Sequence, residues 1–318
     1  MKYLFLVVTV VLSACVTSSP INDTNMTLPN QFVVVLGIAQ DAGYPQTGCM
    51  KDCCQKAWKR GWQSSVVSLG IVDKTTEGRW LIEATPDIKK QLYTLNNFLP
   101  DSNAYIAPSG VFLTHAHIGH YTGLMQLGRE VMGANQVPVY AMPRMSQFLQ
   151  DHEPWKQLLT LQNIEIKELA KEQEVELSPN IKVTPFLVPH RDELSETVGY
   201  WIEGKKTKVM FIPDIDKWHK WNRDLVAEIK AVDMVLIDGT FFQNGEIPGR
   251  DMSKIPHPFV EESMELLKDL PASEKAKVHF IHFNHTNPLL QPNSKERKEL
   301  EQAGFNMAEE GMIIRLGS

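Results

Sequence analysis

Thr114-His115-Ala116-His117-Ile118-Gly119-His120-Tyr121-Thr122-Gly123-Leu124 places three imidazoles within six residues. Just upstream, Gly110-Val111-Phe112-Leu113 is a short apolar run that reads as a buried strand. Just downstream, residues 121–134 read as a helix. A turn between a strand and a helix aims successive side chains at one point. Imidazole is a good ligand for zinc, iron and nickel, so His115, His117 and His120 on one turn form half of a dinuclear metal site. The competing reading, a solvated His-rich loop, fits a lone histidine better than three at this spacing.

Outward from this cluster, strands and helices alternate. Phe32–Ala39, Val66–Val72 and Trp80–Glu83 read as strands upstream, and Pro86 opens a helix with Thr85 as its cap. Downstream, Val137–Ala141 is a strand and residues 143–160 are helical. Further strands are read at Ile164–Leu169, Glu174–Leu177, Ile181–Val188, Thr197–Glu203, Lys208–Ile212, Met234–Ile237, Lys277–Phe283 and Met312–Leu316. Helices are read at 219–230, 258–270 and 293–303. Strands dominate each half of the chain. That pattern predicts a layered α/β architecture, two sheets packed together with helices outside. Nothing linker-like divides residues 31–318, which are read as one domain, and no repeat with a period of 20–50 residues is present.

The chain has 318 residues, 43% hydrophobic and 22% charged, enough for a sizeable core. A net charge of −6 argues against a nucleic-acid partner held through phosphates, and a small-molecule substrate is expected instead. The N-terminus reads as a targeting segment: Lys2, an apolar run from Tyr3 to Leu12, then Leu12-Ser13-Ala14-Cys15. Small residues ahead of a cysteine resemble the bacterial lipoprotein signal. The resemblance implies that residues 1–14 are a leader, that Cys15 is lipidated, and that residues 15–30 are a flexible tether. No acidic residue follows Cys15 directly, which by the same resemblance implies export to the outer membrane, facing the periplasm. The alternative is an ordinary cleaved signal peptide.

The histidine stretch resembles the HxHxDH signature of the metallo-β-lactamase superfamily, with Gly119 where the family has aspartate. The resemblance implies an αββα sandwich of two mixed sheets and a two-zinc site, with manganese or iron as alternatives. It also supplies the remaining ligands, each at a strand end. His190 follows Val188-Pro189, Asp214 follows Phe211-Ile212-Pro213 as the carboxylate between the metals, and His282 ends the strand Lys277–Phe283. In the family the missing aspartate helps bind the second metal, so its replacement by Gly119 implies a weakened second site. His279 lies an odd number of residues before His282 and is expected to face away. His257, in Ile255-Pro256-His257-Pro258, resembles a general acid of the phosphodiesterase relatives. Asp238, at another strand end, is a candidate supporting carboxylate. Trp201, Trp218 and Trp221 are read as core packing or surface, with pocket lining as the alternative.

A second cluster, Gly48-Cys49-Met50-Lys51-Asp52-Cys53-Cys54, follows the first strand. Three thiolates and one imidazole make a closed tetrahedral zinc site. In an oxidising compartment the alternative is a disulfide and one free thiol. Two families within the superfamily carry a cysteine cluster here: the pyrroloquinoline quinone biosynthesis protein B family and the phosphoribosyl cyclic phosphodiesterases. In the latter, a histidine three residues beyond the catalytic one completes a structural zinc site, which implies His285. Gly37–Gln46, Ala84–Asp87, Gly119–Leu124 and Asn284–Leu289 look most like the protein B family, and the resemblance spans roughly residues 32–316. The superfamily and phosphodiesterase resemblances imply hydrolysis of a phosphodiester-like or ester-like small molecule by metal-activated water, with Asp214 and His257 in catalytic roles. Two other readings stay open: a mononuclear-iron oxygenase like protein B, and a metal-binding lipoprotein without turnover.

Overall fold

β1 (Gln31–Gly37) is buried along its whole length. Successive strand residues point to opposite faces. Accordingly Val33 and Val35 enter the core between two sheets, while Phe32, Val34 and Leu36 enter a second core beneath helices. A strand covered on both faces reads as a continuous apolar run, with no polar alternation. The computed structural model describes residues 28–99 and 106–317. The 1–14 leader, Cys15 and the tether up to residue 27 lie outside the described residues.

The first half of the chain continues through α1 (Asp52–Arg60), β2 (Ser68–Asp73), β3 (Gly78–Ile82), α2 (Ile88–Asn96), β4 (Gly110–Phe112), α3 (Ile118–Tyr121), β5 (Val137–Ala141), α4 (Pro143–Asp151), α5 (Trp155–Thr160) and β6 (Ile164–Glu168). The second half supplies β7 (Val175–Ser178), β8 (Ile181–Leu187), β9 (Val198–Glu203), β10 (Lys208–Ile212), α6 (Leu225–Lys230), β11 (Met234–Asp238), α7 (Val260–Leu266), α8 (Ala272–Lys275), β12 (Val278–Ile281), α9 (Lys295–Gln302), β13 (Asn306–Met307) and β14 (Ile313–Arg315). Among the described residues these strands form two seven-stranded sheets, ordered β14-β1-β2-β3-β4-β5-β6 and β13-β12-β11-β10-β9-β8-β7. Each sheet mixes parallel and antiparallel pairs. The expected sandwich of two mixed sheets with helices outside is what the chain forms.

The sheets meet through aromatic contacts. Phe112 of β4 stacks on Tyr140 at 4.2 Å and meets Tyr200 of β9 edge-on at 5.7 Å. Tyr200 Oη donates to Leu113 O at 2.5 Å and so fixes the end of β4, where the histidine turn begins. β10, β11 and β12 run parallel, so their carboxyl ends lie side by side. After β1 the chain leaves the first sheet: Ala39 bridges Phe283 just beyond β12, and Gln40 N donates to Phe283 O at 2.9 Å. This crossing brings the segment after β1 to the same rim.

Several local expectations need correction. Residues 121–134 are not one helix. α3 gives way to a 3-10 turn over Thr122–Leu127, where a Cβ on Gly123 would lie 2.1 Å from Thr85 O. Backbone contact that close requires glycine and ends the regular helix. Residues 219–230 likewise split into a 3-10 turn (Trp218–Lys220) and α6, capped by Asp224 Oδ1 accepting from Val226 N at 2.9 Å. α2 starts at Ile88, and Thr85 Oγ1 instead accepts from Asp87 N and donates to Gln91 Oε1. α1, which carries Cys53 and Cys54, was not anticipated. The tryptophans pack as expected: Trp221 Nε1 donates to Leu187 O, Trp218 Nε1 to Ser263 Oγ, and Trp201 lies against Phe186.

Candidate metal centre

The turn from β4 into α3 places His115, His117 and His120 on one rim, held by Val198 N donating to Thr114 O and Ala116 N donating to Ser195 Oγ. His190 arrives from the β8–β9 connection, Asp214 from the end of β10, and His282 from the end of β12. The ligand atoms of His115, His117 and His190 lie within 4.8 Å of one another. His115 Nε2 and His117 Nδ1 face each other at 2.8 Å. Asp214 stands between the two groups. Its Oδ2 is 3.0 Å from His120 Nε2 and 3.1 Å from His282 Nε2, and its Oδ1 is 3.6 Å from His190 Nε2. All six residues singled out in the sequence therefore meet at one place. His279 does not join them: its ring packs against Lys277 O.

Two carboxylates that sequence reasoning did not select complete the surroundings. Glu83, fully buried just beyond β3, has Oε1 3.4 Å from His120 Nδ1. Asp41, from the segment after β1, has Oδ1 3.2 Å from His120 Nε2. Glu83 had one available signal, a charged residue closing the apolar run Trp80-Leu81-Ile82. Asp41 lay within the family-like stretch Gly37–Gln46, but Gln40-Asp41-Ala42-Gly43 reads as an ordinary turn and its carboxylate was passed over. His282 and Glu83 both hold positive φ, 67° and 78°. Non-glycine residues held this way are strained, and such strain gathers at functional sites.

A network behind the rim sets imidazole orientation. Thr240 Oγ1 donates to Asp238 Oδ1 at 2.7 Å, so its oxygen accepts from His282 Nδ1 at 2.8 Å. His282 Nε2 is then an unprotonated lone pair aimed at the site. His257 Nδ1 donates to the other oxygen of Asp238 at 2.7 Å. Asp238, the candidate supporting carboxylate, thus serves both histidines.

The electrostatics favour a cation. Burial holds His115 well below its ordinary value, lowers His282, and brings His190 to about 4, so these rings are neutral ligands. Burial acts against His120 too, but Glu83, Asp214 and Asp41 together raise it well above the usual range. Burial also opposes ionisation of Asp214, yet His282, His120 and His190 hold it well below the usual carboxylate range. Among the described residues, the buried side-chain atoms without a hydrogen-bond partner gather here: Asp41 Oδ1, Glu83 Oε1, both nitrogens of His120 and of His190, Asp214 Oδ2 and His282 Nε2. The exceptions elsewhere are Trp155 Nε1, Asn163 Oδ1 and Trp201 Nε1. Orphaned buried donors and acceptors are costly. A cluster of them, nitrogen and carboxylate together, fits bound metal ions.

The cysteine cluster forms a second such set. Cys49, Cys53, Cys54 and His285 bring their ligand atoms within 4.8 Å of one another, with Cys54 Sγ 3.3 Å from His285 Nδ1. The three sulfurs are unpaired thiols. Burial pushes Cys54 up to about 12, so a thiolate there needs a cation beside it. Three sulfurs and one nitrogen suit structural zinc.

The histidine site opens into a cavity of about 510 Å³. Arg191, Arg250 and His257 line it, together with apolar Ile118, Leu194 and Ile247.

Residues 79–280 match the family model described as Beta-lactamase superfamily domain. Coenzyme PQQ synthesis protein B of Methylorubrum extorquens (strain PA1) is 27% identical over 308 residues, 89% of this chain and 99% of that protein. The protein of the same name from Xanthomonas campestris pv. campestris (strain B100) is 26% identical over 306 residues, again 89% and 99%. Among solved structures, zinc-bound PqqB from Methylobacterium extorquens aligns with a TM-score of 0.76 at 26% identity, covering 90% of this chain and all of that one. A diphosphatase of the PhnP family aligns with a TM-score of 0.62 at 20% identity, covering 89% and 96%, and shares the fold. The resemblances to the superfamily and to the protein B family stated from the sequence are found.

Proposed function

The chain belongs to the β-lactamase superfamily, and from that premise we propose that it is a hydrolase using metal-activated water on a phosphodiester-like or ester-like small molecule. The observation that carries this reading is the pair of histidine groups joined by buried Asp214 at the floor of an open cavity. His115, His117 and His190 would hold one ion and His120 and His282 a second, zinc being the best match to the donors. Bound metal lowers the pKa of a coordinated water toward neutrality and polarises the scissile group. Glu83 and Thr240 orient His120 and His282. His257 uses Nδ1 on Asp238, which leaves Nε2 to give a proton to a leaving-group oxygen. Arg191 and Arg250 favour an anionic scissile group, and Ile118 and Leu194 offer apolar surface to the remainder of the substrate.

The test is turnover of bis(p-nitrophenyl) phosphate and p-nitrophenyl acetate by the zinc- or manganese-loaded chain without oxygen. The expected outcome is hydrolysis that His115→Ala abolishes, with Arg191→Ala raising KM for the phosphodiester more than for the ester. A metal-replete chain that hydrolyses neither sinks the reading. A second reading, an oxygenase using reduced iron, draws on the two-imidazole, one-carboxylate set at His120, His282 and Asp41, a set that such iron enzymes use. It predicts oxygen consumption only by the iron-loaded chain. We further propose structural zinc at Cys49, Cys53, Cys54 and His285, and export with a lipid anchor on Cys15.

A further inference from the structure

We propose that Asp41 is a ligand of the second metal, supplying from the segment after β1 the carboxylate that position 119 lacks. The proposal rests on the two-metal reading above and deepens it: Gly119 marks a carboxylate moved elsewhere in the chain, not a site abandoned.

The first support is exclusion. A Cβ on Gly119 would lie 2.3 Å from Asp41 Oδ1 and 2.5 Å from Asp41 Cα. No side chain fits at 119 while Asp41 stands there, and the backbone approach, unlike a flexible tip, does not yield. The space that an aspartate at 119 would take is filled by an aspartate from the turn after β1.

The second support is donor chemistry. His282 Nε2 is a lone pair, because Thr240 commits its own proton to Asp238 and takes one from His282 Nδ1. His120 has Glu83 at Nδ1, so its Nε2 faces Asp41 Oδ1 at 3.2 Å and Asp214 Oδ2 at 3.0 Å. One ring nitrogen has two carboxylate oxygens before it, and Asp41 Oδ1, Asp214 Oδ2 and His282 Nε2 all lack a hydrogen-bond partner. A single proton cannot satisfy four such atoms. One divalent cation can, since every one of them is a metal ligand.

The third support is preorganisation. Gln40 N donates to Phe283 O at 2.9 Å, Gly43 N to Gln40 O at 2.7 Å, and Asn284 Nδ2 to Gln40 Oε1. Asp41 is therefore anchored to the residue that follows His282, and the two donors keep a fixed separation.

The experiment measures bound metal in the full-length chain by elemental mass spectrometry across a zinc titration, for wild type, Asp41→Asn and Asp41→Ala. Cobalt substitution reports coordination by visible absorption. We expect wild type to hold two ions besides the thiol-releasable zinc. Asp41→Asn should weaken the second of these by more than about a hundredfold, beyond the roughly 10–100-fold that loss of an outer hydrogen bond gives, with a changed cobalt spectrum. Asp41→Ala should weaken the second ion at least as far. The thiol-releasable zinc, unchanged across variants, reports an intact fold. If Asp41→Asn binds both ions as wild type does, the assignment to Asp41 is overturned while the two-metal hydrolase stands; if wild type fills only the His115, His117, His190 set, the assignment is overturned and a one-metal hydrolase survives. If that first set also stays empty, the two-metal reading itself fails.

Discussion

Asp238 accepts from His257 Nδ1 and Thr240 Oγ1, each at 2.7 Å, and through Thr240 it also fixes His282. Its loss should therefore be felt first at His257. Burial works against a proton on His257, but the carboxylates of Asp238 and Asp214 outweigh it and raise the imidazole above its ordinary value. Asp238→Asn removes the larger of these carboxylate effects, so His257 loses its proton at lower pH. The alkaline limb of the kcat profile should then move to lower pH, because the acid form decays above its own pKa. His257→Gln should instead lower kcat by roughly 10²–10⁴-fold while metal content stays at the wild-type value. A parallel loss of metal would assign His257 to the ligand set and not to proton transfer. Legibility at this scale follows sequence distance. His115, His117 and His120 announce themselves because one turn holds them all. Asp41 lies far along the chain from that turn, and only the crossing of Ala39 onto Phe283 makes them neighbours, a fact no local pattern carries.

At the scale of elements, the two sheets are joined by more than apolar contact. Asp73, at the end of β2 and 0% exposed, accepts from Gln31 Nε2 and Thr75 on one side and from Ser178 Oγ and Asn180 Nδ2 of the β7–β8 hairpin on the other. Burial alone would raise this carboxyl, but the donors from Thr75, Gln31, Ser178 and Asn180 hold it well below its usual 3.8. A depressed carboxyl contributes stability that is complete above the unfolded pKa and is lost as pH falls toward the folded one. Thermal melts should therefore show wild type losing stability below about pH 4, a loss that Asp73→Asn lacks. Asp73→Ala at neutral pH should cost roughly 2–3 kcal/mol, the scale of a hydrogen bond to a charged group. Phe112→Ala, which empties the contact between Tyr140 and Tyr200, should cost about 3–5 kcal/mol in denaturant unfolding. The strands were readable because both their faces are buried, so apolar runs such as Phe32–Leu36 stand out. The helices were less so. Gly123, Gly128 and Asp224 cut long helical patterns into short pieces for reasons of packing and capping, and α1 is short and carries mostly polar residues.

Across the whole molecule, the proposed lipid anchor and the proposed zinc site act at different ends of one design. If Cys15 is lipidated, Cys15→Ala should move the chain from the membrane to the soluble fraction of cells, which fractionation and immunoblotting check. The cysteine site has the opposite character. Cys54 and His285 are 231 residues apart in sequence, and their contact clips the segment after β1 to the segment after β12. Those are the segments that carry Asp41 and His282, joined again by the Gln40–Phe283 hydrogen bond and by Asn284 Nδ2 donating to Gln40 Oε1. A closed zinc site would therefore hold the two halves of the second metal site in register without touching its ion. Ordering the same two segments twice costs less than ordering them independently, so the two metals should bind with positive coupling. Cys54→Ser should release one zinc per chain, lower the melting temperature, and weaken binding at Asp41, His120 and His282 by about tenfold, the low end of what loss of a supporting shell costs. Binding at His115, His117 and His190, whose segments the clip does not join, should stay as in wild type. Calorimetric titration of both sites in the variant checks this. Equal weakening at both would mean general loosening of the fold, and no weakening at either would mean that the cysteine site stabilises α1 alone.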